Sequence, residues 1–237
     1  MVESQQESWG EYYQRVFAGG SPWLDYSNAH VQGQTFGVAI ESAGPINGKQ
    51  CLDVGCGRGH LSLALAGLQA SRVVGVDIVA ESIAACRDQH PHVQWEVGTL
   101  EDEQFVQSLG QFDVIFLIEM LHYVDWRKCL HLLWKQLNAG GRIVVIVPNK
   151  DNAIVQKTIA RFEGRYAPPN PAEIAALVAE LPDLDCWGYR GMDFQQDQRL
   201  VPYVTSPWAN TVVKEFSSNR MVVVLQKQAG VAVSAKP

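Results

Sequence analysis

The chain has 237 residues, 47% of them hydrophobic, which is enough for one large buried core. Its net charge is −6, and its 19 Lys and Arg residues are scattered without a run; this argues against nucleic acid, whose binders carry a basic patch or stripe. No apolar run approaches the roughly 20 residues of a membrane span, and the opening MVESQQESWGEYYQ has no signal-peptide core. The five cysteines (Cys51, Cys56, Cys86, Cys129 and Cys186) are odd in number and form no CxxC pair. That usage reads as reduced thiols of a cytoplasmic protein. A zinc site needs clustered ligands, which the six histidines do not supply, so no metal is expected.

Residues 1–48 are rich in aromatics: Trp9, Tyr12, Tyr13, Phe17, Trp23 and Tyr26. They read as a helical cap that folds over a ligand as a lid, or as an ordinary amphipathic helix covering a sheet edge. CLDV (51–54) has the pattern of a short buried strand, and HLSLALAGL (60–68) is a helix with Leu61, Leu65 and Leu68 on one face. RVVGVDI (72–78) is a β-branched strand, SIAACRDQH (82–90) a helix and VQWEV (93–97) a strand by alternation. FDVIFLIEM (112–120) is a continuous apolar run, as expected of a strand covered on both faces. WRKCLHLLWKQL (126–137) puts Trp126, Cys129, Leu130, Leu133 and Leu137 on one helical face. NAGG (138–141) is expected to end that helix with a C-cap glycine, before the strand RIVVIVP (142–148). Residues 151–170 read as a helix and a Pro-rich turn forming a pocket wall, and PAEIAALVAEL (171–181) as a helix with Pro at its start. LDCWGYRGMDF (184–194) and RMVVVLQKQ (220–228) are the last two strands, with an insertion carrying Tyr203 and Trp208 between them. Residues 229–237 read as a frayed tail. No linker or repeat marks a second domain, so 1–237 is expected to be one unit, with a cofactor-binding core over 49–150 and substrate-side elements over 151–228.

Alternating strands and helices with short connections predict an α/β fold: a doubly wound, mostly parallel, seven-stranded sheet. Ligands of such sheets bind outside the carboxyl ends of the strands, near the topological switch point. CLDVGCGRGH places Gly55, Gly57 and Gly59 there, directly after the first strand. Two ligand classes compete. A dinucleotide calls for GxGxxG with an acidic residue about 20 positions on. Here His60 replaces the third required glycine, while Asp77 supplies the acid at the end of the second strand, where it can accept both ribose hydroxyls. Asp53, two residues before the first glycine, is awkward beside a pyrophosphate and suits a cationic or ammonium-bearing ligand.

At LDVGCGRG (52–59), VVGVDI (73–78), FDVIFLIEMLHYV (112–124) and LLWKQLNAGGRIVV (132–145) the sequence resembles the class I S-adenosylmethionine-dependent methyltransferases. EMLHYV is similar to the EMLEHV of ubiquinone-pathway O-methyltransferases and relatives. The resemblance spans roughly residues 50–150 and implies S-adenosyl-L-methionine as cofactor, with a Rossmann-like methyltransferase sheet whose last strand is antiparallel. It implies that Gly55, Cys56, Gly57 and Gly59 pass under the methionine part and that Asp53 holds its ammonium group. It further implies that Asp77 binds the ribose and that Ile78 packs on the adenine. Where the family has a GD pair at the end of the third strand, this chain reads Gly98-Thr99-Leu100-Glu101, so Thr99 and Leu100 would meet the adenine without a charge. Glu119 and Met120 would line the cofactor or the methyl-transfer site.

A hydroxyl acceptor must lose its proton, which calls for a positioned base. His122, just past the fourth strand, is the candidate catalytic residue; an amine that is already neutral needs none. Substrate contacts are expected from Tyr12, Tyr13, Trp23, Tyr26 and Tyr203. The resulting expectation is methyl transfer to an oxygen or nitrogen nucleophile of a small molecule in a biosynthetic pathway. The alternatives are a macromolecular or carrier-bound acceptor (tRNA, protein, acyl carrier) and a non-catalytic cofactor-binding module.

Overall fold

The computed structural model describes residues 29–162, 166–193 and 203–230. One sheet organises them. Its strands are β1 (Gln50–Val54), β2 (Arg72–Asp77), β3 (Gln94–Val97), β4 (Phe112–Ile118), β5 (Leu137–Pro148), β6 (Leu184–Asp193), β7 (Tyr203–Val204) and β8 (Arg220–Lys227). They lie in the order β3-β2-β1-β4-β5-β8-β6-β7. β1 to β5 are parallel, and β8 inserts between β5 and β6, antiparallel to both. The expected seven strands are present with the last one antiparallel, and the two-residue β7 adds an eighth at the edge.

Among the described residues seven α-helices flank the strands: α1 (Ala29–Ala43), α2 (His60–Gly67), α3 (Ala80–Gln89), α4 (Glu103–Ser108), α5 (Trp126–Lys135), α6 (Ala153–Arg161) and α7 (Pro171–Val178). The two-residue period of the strands feeds two apolar layers. In β4, Ile115 and Leu117 join the layer that includes α5 and α7, while Val114, Phe116 and Ile118 join the one that includes α1, α2 and α3. A strand buried on both faces must read as a continuous apolar run, and FDVIFLI does. Asp102, Asn152 and Asn170 cap α4, α6 and α7 through their side chains, and Glu173 completes a capping box on α7.

NAGG does not cap α5. The helix ends at Gln136, and 138–141 already belong to β5, where the register on β4 jumps from Phe112↔Leu137 to Val114↔Arg142. The glycines serve that irregularity. Gly140 has φ +76, and a Cβ on Gly141 would stand 2.8 Å from the Asp113 carbonyl oxygen.

Candidate active site

In this strand order the switch point lies between β1 and β4, and the glycine loop leaves β1 at that point. The loop is drawn toward β2: Gly55 N and Cys56 N donate to the Val76 carbonyl at 2.8 and 3.0 Å, and Gly57 N donates to Asp77 Oδ2 at 2.8 Å. Asp77 Oδ1 accepts from Val79 N at 2.9 Å, and the Asp77 carbonyl accepts from Gly98 N at 3.0 Å. The ends of β1, β2 and β3 are therefore tied into one rim around a half-buried carboxylate.

All three loop glycines have positive φ, but they are bare for different reasons. A Cβ on Gly55 would stand 2.8 Å from Met120 Cβ, so this glycine lets β1 pack against the residues after β4. A Cβ on Gly59 would collide with the Trp95 ring, so this glycine seats a core tryptophan at the start of α2. Only Gly57, among the three, faces open space. The cradle for a ligand is thus centred on Gly57 and Asp77 rather than spread along the loop.

Asp53 lies beneath the loop, 3% exposed, with Ser62 Oγ donating to its Oδ2 at 2.6 Å. Burial pushes its carboxyl up to about 6, Ser62 pulls it back, and the Asp77 charge adds a smaller upward push. Burial also raises Asp77, against the hydrogen bonds from Val79, Gly57 and Ile78. Two desolvated carboxylates that repel each other form a site waiting for a cation. A sulfonium carrying an ammonium group satisfies both, and the exposed Ile78 side chain (43%) offers an apolar platform beside Asp77. The residues present therefore fit S-adenosyl-L-methionine.

Two other expected contacts, Leu100 and Cys56, have buried side chains. Leu100 is 2% exposed and its side chain belongs to the core, so it presents no surface to an adenine. Cys56 is buried in the opposite layer, and burial drives its thiol pKa far up, so it is an inert filler. Thr99 Oγ1 accepts from Glu101 N at 3.2 Å and closes a local turn. Tyr12, Tyr13, Trp23 and Tyr26 lie outside the described residues, and of Tyr203 only the backbone, in β7, is described.

After β4 the chain makes a sharp turn. Glu119 has φ +55, its N donates to the Ile146 carbonyl at 2.8 Å, and a 3₁₀ turn follows over Leu121–Tyr123. Met120 packs on Gly55, which sets this turn against the cofactor cradle. The Glu119 carboxylate receives Arg220 Nε at 2.8 and 2.9 Å. Burial raises Glu119 and Arg220 opposes the rise. His122 is 2% exposed rather than open at the strand end. The Tyr123 and Tyr166 rings lie against it, with centroids at 4.0 and 4.5 Å. Its Nδ1 is buried without a hydrogen-bond partner, while its carbonyl accepts from Ala167 N at 2.9 Å. Burial, and secondarily the Arg220 charge, hold the imidazole well below its usual range, so it is neutral at physiological pH. Sequence reading missed Arg220 and Tyr166, because nothing local marks an arginine at a strand start or a tyrosine in a Pro-rich connection as a partner of residue 119 or 122.

A cleft of about 260 Å³ opens among Asp151, Pro171, Val212, Val213 and Phe216, beyond β5. It shares no residue with the cradle, and of the 151–170 segment only Asp151 lines it. Among the described residues no helix is long and apolar enough to cross a membrane, and no His, Cys, Asp and Glu group could hold a metal.

Residues 51–141 match a family model described as a methyltransferase domain. A ubiquinone biosynthesis O-methyltransferase from Bordetella bronchiseptica is 30% identical over 196 residues, covering 76% of this chain and 78% of the relative. Its namesake from Thiobacillus denitrificans is 35% identical over 157 residues, 60% of this chain and 67% of the relative. Among solved structures, a SAM-dependent methyltransferase from Thermotoga maritima superposes with TM-score 0.68 at 14% identity, covering 91% of this chain and 98% of the other. The N-methyltransferase NodS from Bradyrhizobium japonicum, in complex with S-adenosyl-L-homocysteine, gives 0.63 at 17%, covering 92% and 97%. At such identities the structures establish the fold. Together with the 30% relative and the cradle built on Gly57, Asp77 and Asp53, they establish that the chain belongs to the class I S-adenosylmethionine-dependent methyltransferases.

Proposed function

We propose that the enzyme transfers a methyl group to an oxygen or nitrogen nucleophile of a small molecule, in a cytoplasmic biosynthetic pathway, with His122 as the base when the acceptor is a hydroxyl. The observation that carries this reading is the turn after β4. It rests on Gly55 through Met120 and holds, three residues beyond Glu119, an imidazole whose Nδ1 has no partner. A buried polar atom left unsatisfied costs stability, and such atoms call for a functional account. The name of the relatives favours oxygen over nitrogen.

The cofactor supplies an activated methyl group on sulfur. Asp53 and Asp77 would hold its positive and hydroxyl-bearing parts, and Gly57 would leave room for it. What remains for the protein is to bring the acceptor to attack distance, where effective molarities are large. His122 Nδ1 would take the proton of the acceptor hydroxyl as that oxygen receives the methyl group that the bound cofactor would supply. Because Tyr123 and Tyr166 cover the imidazole, the acceptor must displace one of these rings to reach it.

Incubation with methyl-labelled cofactor and a host metabolite extract, read by mass spectrometry, tests the reading. A labelled small molecule bearing a methyl ether or methylamine is expected. Label found only in protein, tRNA or carrier-bound products would overturn it.

A further inference from the structure

Ser62 stands in the first turn of α2 and Asp53 near the end of β1, so the two flank the glycine loop. The 2.6 Å bond from Ser62 Oγ to Asp53 Oδ2 closes that loop at its base. It joins side chains that are 0% and 3% exposed. β2 provides the room for it. Gly75 is the residue in register with Asp53, and a Cβ there would stand 3.0 Å from Ser62 Oγ. The start of α2 has no cap of its own, because its N-cap is Gly59 at φ +79. Open N–H groups at a helix start favour a carboxylate, and the Ser62 backbone N–H also bonds toward Asp53.

These contacts alone would make Asp53 a cap, but they leave it half satisfied. Among the described residues no side chain donates to Oδ1, and no cation pairs with this carboxylate. Asp77 of β2, the charged group that bears on it, repels it. Cys51 of β1, Cys56 of the loop and Cys86 of α3 are thiols that burial keeps protonated, and Arg58 and His60 are exposed. Ser62 is thus the one source of hydrogen bonds to Asp53 among the described residues.

We infer that Ser62 is the positioning residue of the cofactor's ammonium site: its hydroxyl holds Asp53 Oδ2 from across the glycine loop and leaves Oδ1 for the ammonium group. The inference rests on the reading of Asp53 as the ammonium contact. A serine hydroxyl has one proton to give. Given to a carboxylate, it makes a charge-assisted bond that favours the ionised form, which is the form a cation needs. Cofactor affinity in mild acid therefore depends on a hydroxyl that does not touch the cofactor.

The test is calorimetric titration of the full chain with S-adenosylhomocysteine, which carries the ammonium group, from about pH 7 down to about pH 5. In the wild type affinity falls as pH drops through about 6, where Asp53 gains its proton. Ser62→Ala keeps α2, since alanine is the strongest helix former, and moves that fall upward by about one pH unit. Its deficit against the wild type then grows from about twofold at pH 7 to about tenfold at pH 5. Ser62→Cys, with a weaker donor in the same slot, falls between the two. A bond that merely closed the loop would give the same deficit at every pH. His60 lies below its ordinary value and titrates in the same range, so Asp53→Asn, which removes the fall, assigns it. A deficit in Ser62→Ala that is absent or constant with pH overturns the inference, as does a larger deficit in Ser62→Cys than in Ser62→Ala. Failure of the Asp53 reading looks different: Asp53→Asn then keeps the wild-type fall, and Ser62 is a cap partner only.

Discussion

The two ends of the site are built in contrasting ways. The cradle proposed for the cofactor comes from one stretch of chain, Asp53 to Thr99, in which backbone donors close on the Asp77 carboxylate. The proposed acceptor end is assembled from segments far apart in sequence, with Glu119 and Arg220 separated by 101 positions, and it consists of side chains: an ion pair, an imidazole and two phenol rings. Backbone geometry makes the first tolerant of change in most side chains. The second has no such reserve, and each of its members can be removed by one substitution.

The sharpest way to break this contrast is His122→Ala. It is expected to lower kcat by about 10²–10⁴-fold for a hydroxyl acceptor and to leave cofactor affinity unchanged, because the loss lies in the transition state. The imidazole is already neutral at physiological pH, so the wild-type rate is expected to be flat there and to fall only in acid, as His122 gains its proton. A variant with near-full activity and the same acid limb would move His122 from the acceptor end to the core. Gly59→Ala comes next in size and acts on stability. It adds left-handed strain of about 1–2 kcal/mol to an overpacking cost of about 1–3 kcal/mol against Trp95, to be read from the denaturation midpoint. Gly57→Ala, with open space around it, is expected to carry the strain alone while weakening cofactor binding. Equal loss of stability in the two would mean that the glycines share one role.

Asp77→Ala sharpens the comparison from the cofactor side. Hydrogen bonds to a charged group are worth about 1.5–3 kcal/mol, so calorimetry is expected to show affinity for S-adenosylhomocysteine reduced at least about tenfold in a folded variant. Unchanged affinity would remove the carboxylate from the cradle. The smallest effect is that of pH on binding. Asp53 is raised to about 6, so it is ionised above that pH and neutral below it. An ammonium group favours the ionised form, and cofactor affinity is therefore expected to weaken as pH falls through about 6, by at most about tenfold per unit. In the ligand-free protein the sign reverses. The preference of the fold for protonated Asp53 stabilises it in full below the ordinary value of 3.8, and this contribution is gone above about 6. Affinity that stays level across that range would show that the ammonium lies elsewhere.

The residues proposed for the cradle are legible in the sequence because their signals are local. A β-branched run ending in Asp77 and glycines at alternate positions are visible within a short window, as are the continuous apolar strand β4 and the amphipathic α5. Sequence reading misjudged which glycine does what, since Met120 and Trp95 reach Gly55 and Gly59 through tertiary packing. It placed NAGG at a helix end because a C-cap and a strand irregularity both require positive φ, and composition alone does not distinguish them. It named Leu100 as a contact where that side chain packs into the core. Arg220 and Tyr166 were out of reach for a different reason: a pairing across 101 positions leaves no periodicity to read.

The insertion of β8 between β5 and β6 bears on how the protein is made. β5 is a twelve-residue strand whose residues 143–148 are buried, and its only neighbour besides β4 is the strand formed by residues 220–227. While the ribosome is still adding residues 149–219, that flank has every backbone amide and carbonyl unpaired beside an apolar face. Such an edge is a template for pairing with other nascent chains. β6 emerges earlier but joins the sheet only through β8, so it gives no cover in the meantime. A chain that stops short of residue 220 would therefore carry a finished cofactor cradle on a sheet with an open seam, and it would be lost to aggregation or proteolysis before it was lost to any defect in binding.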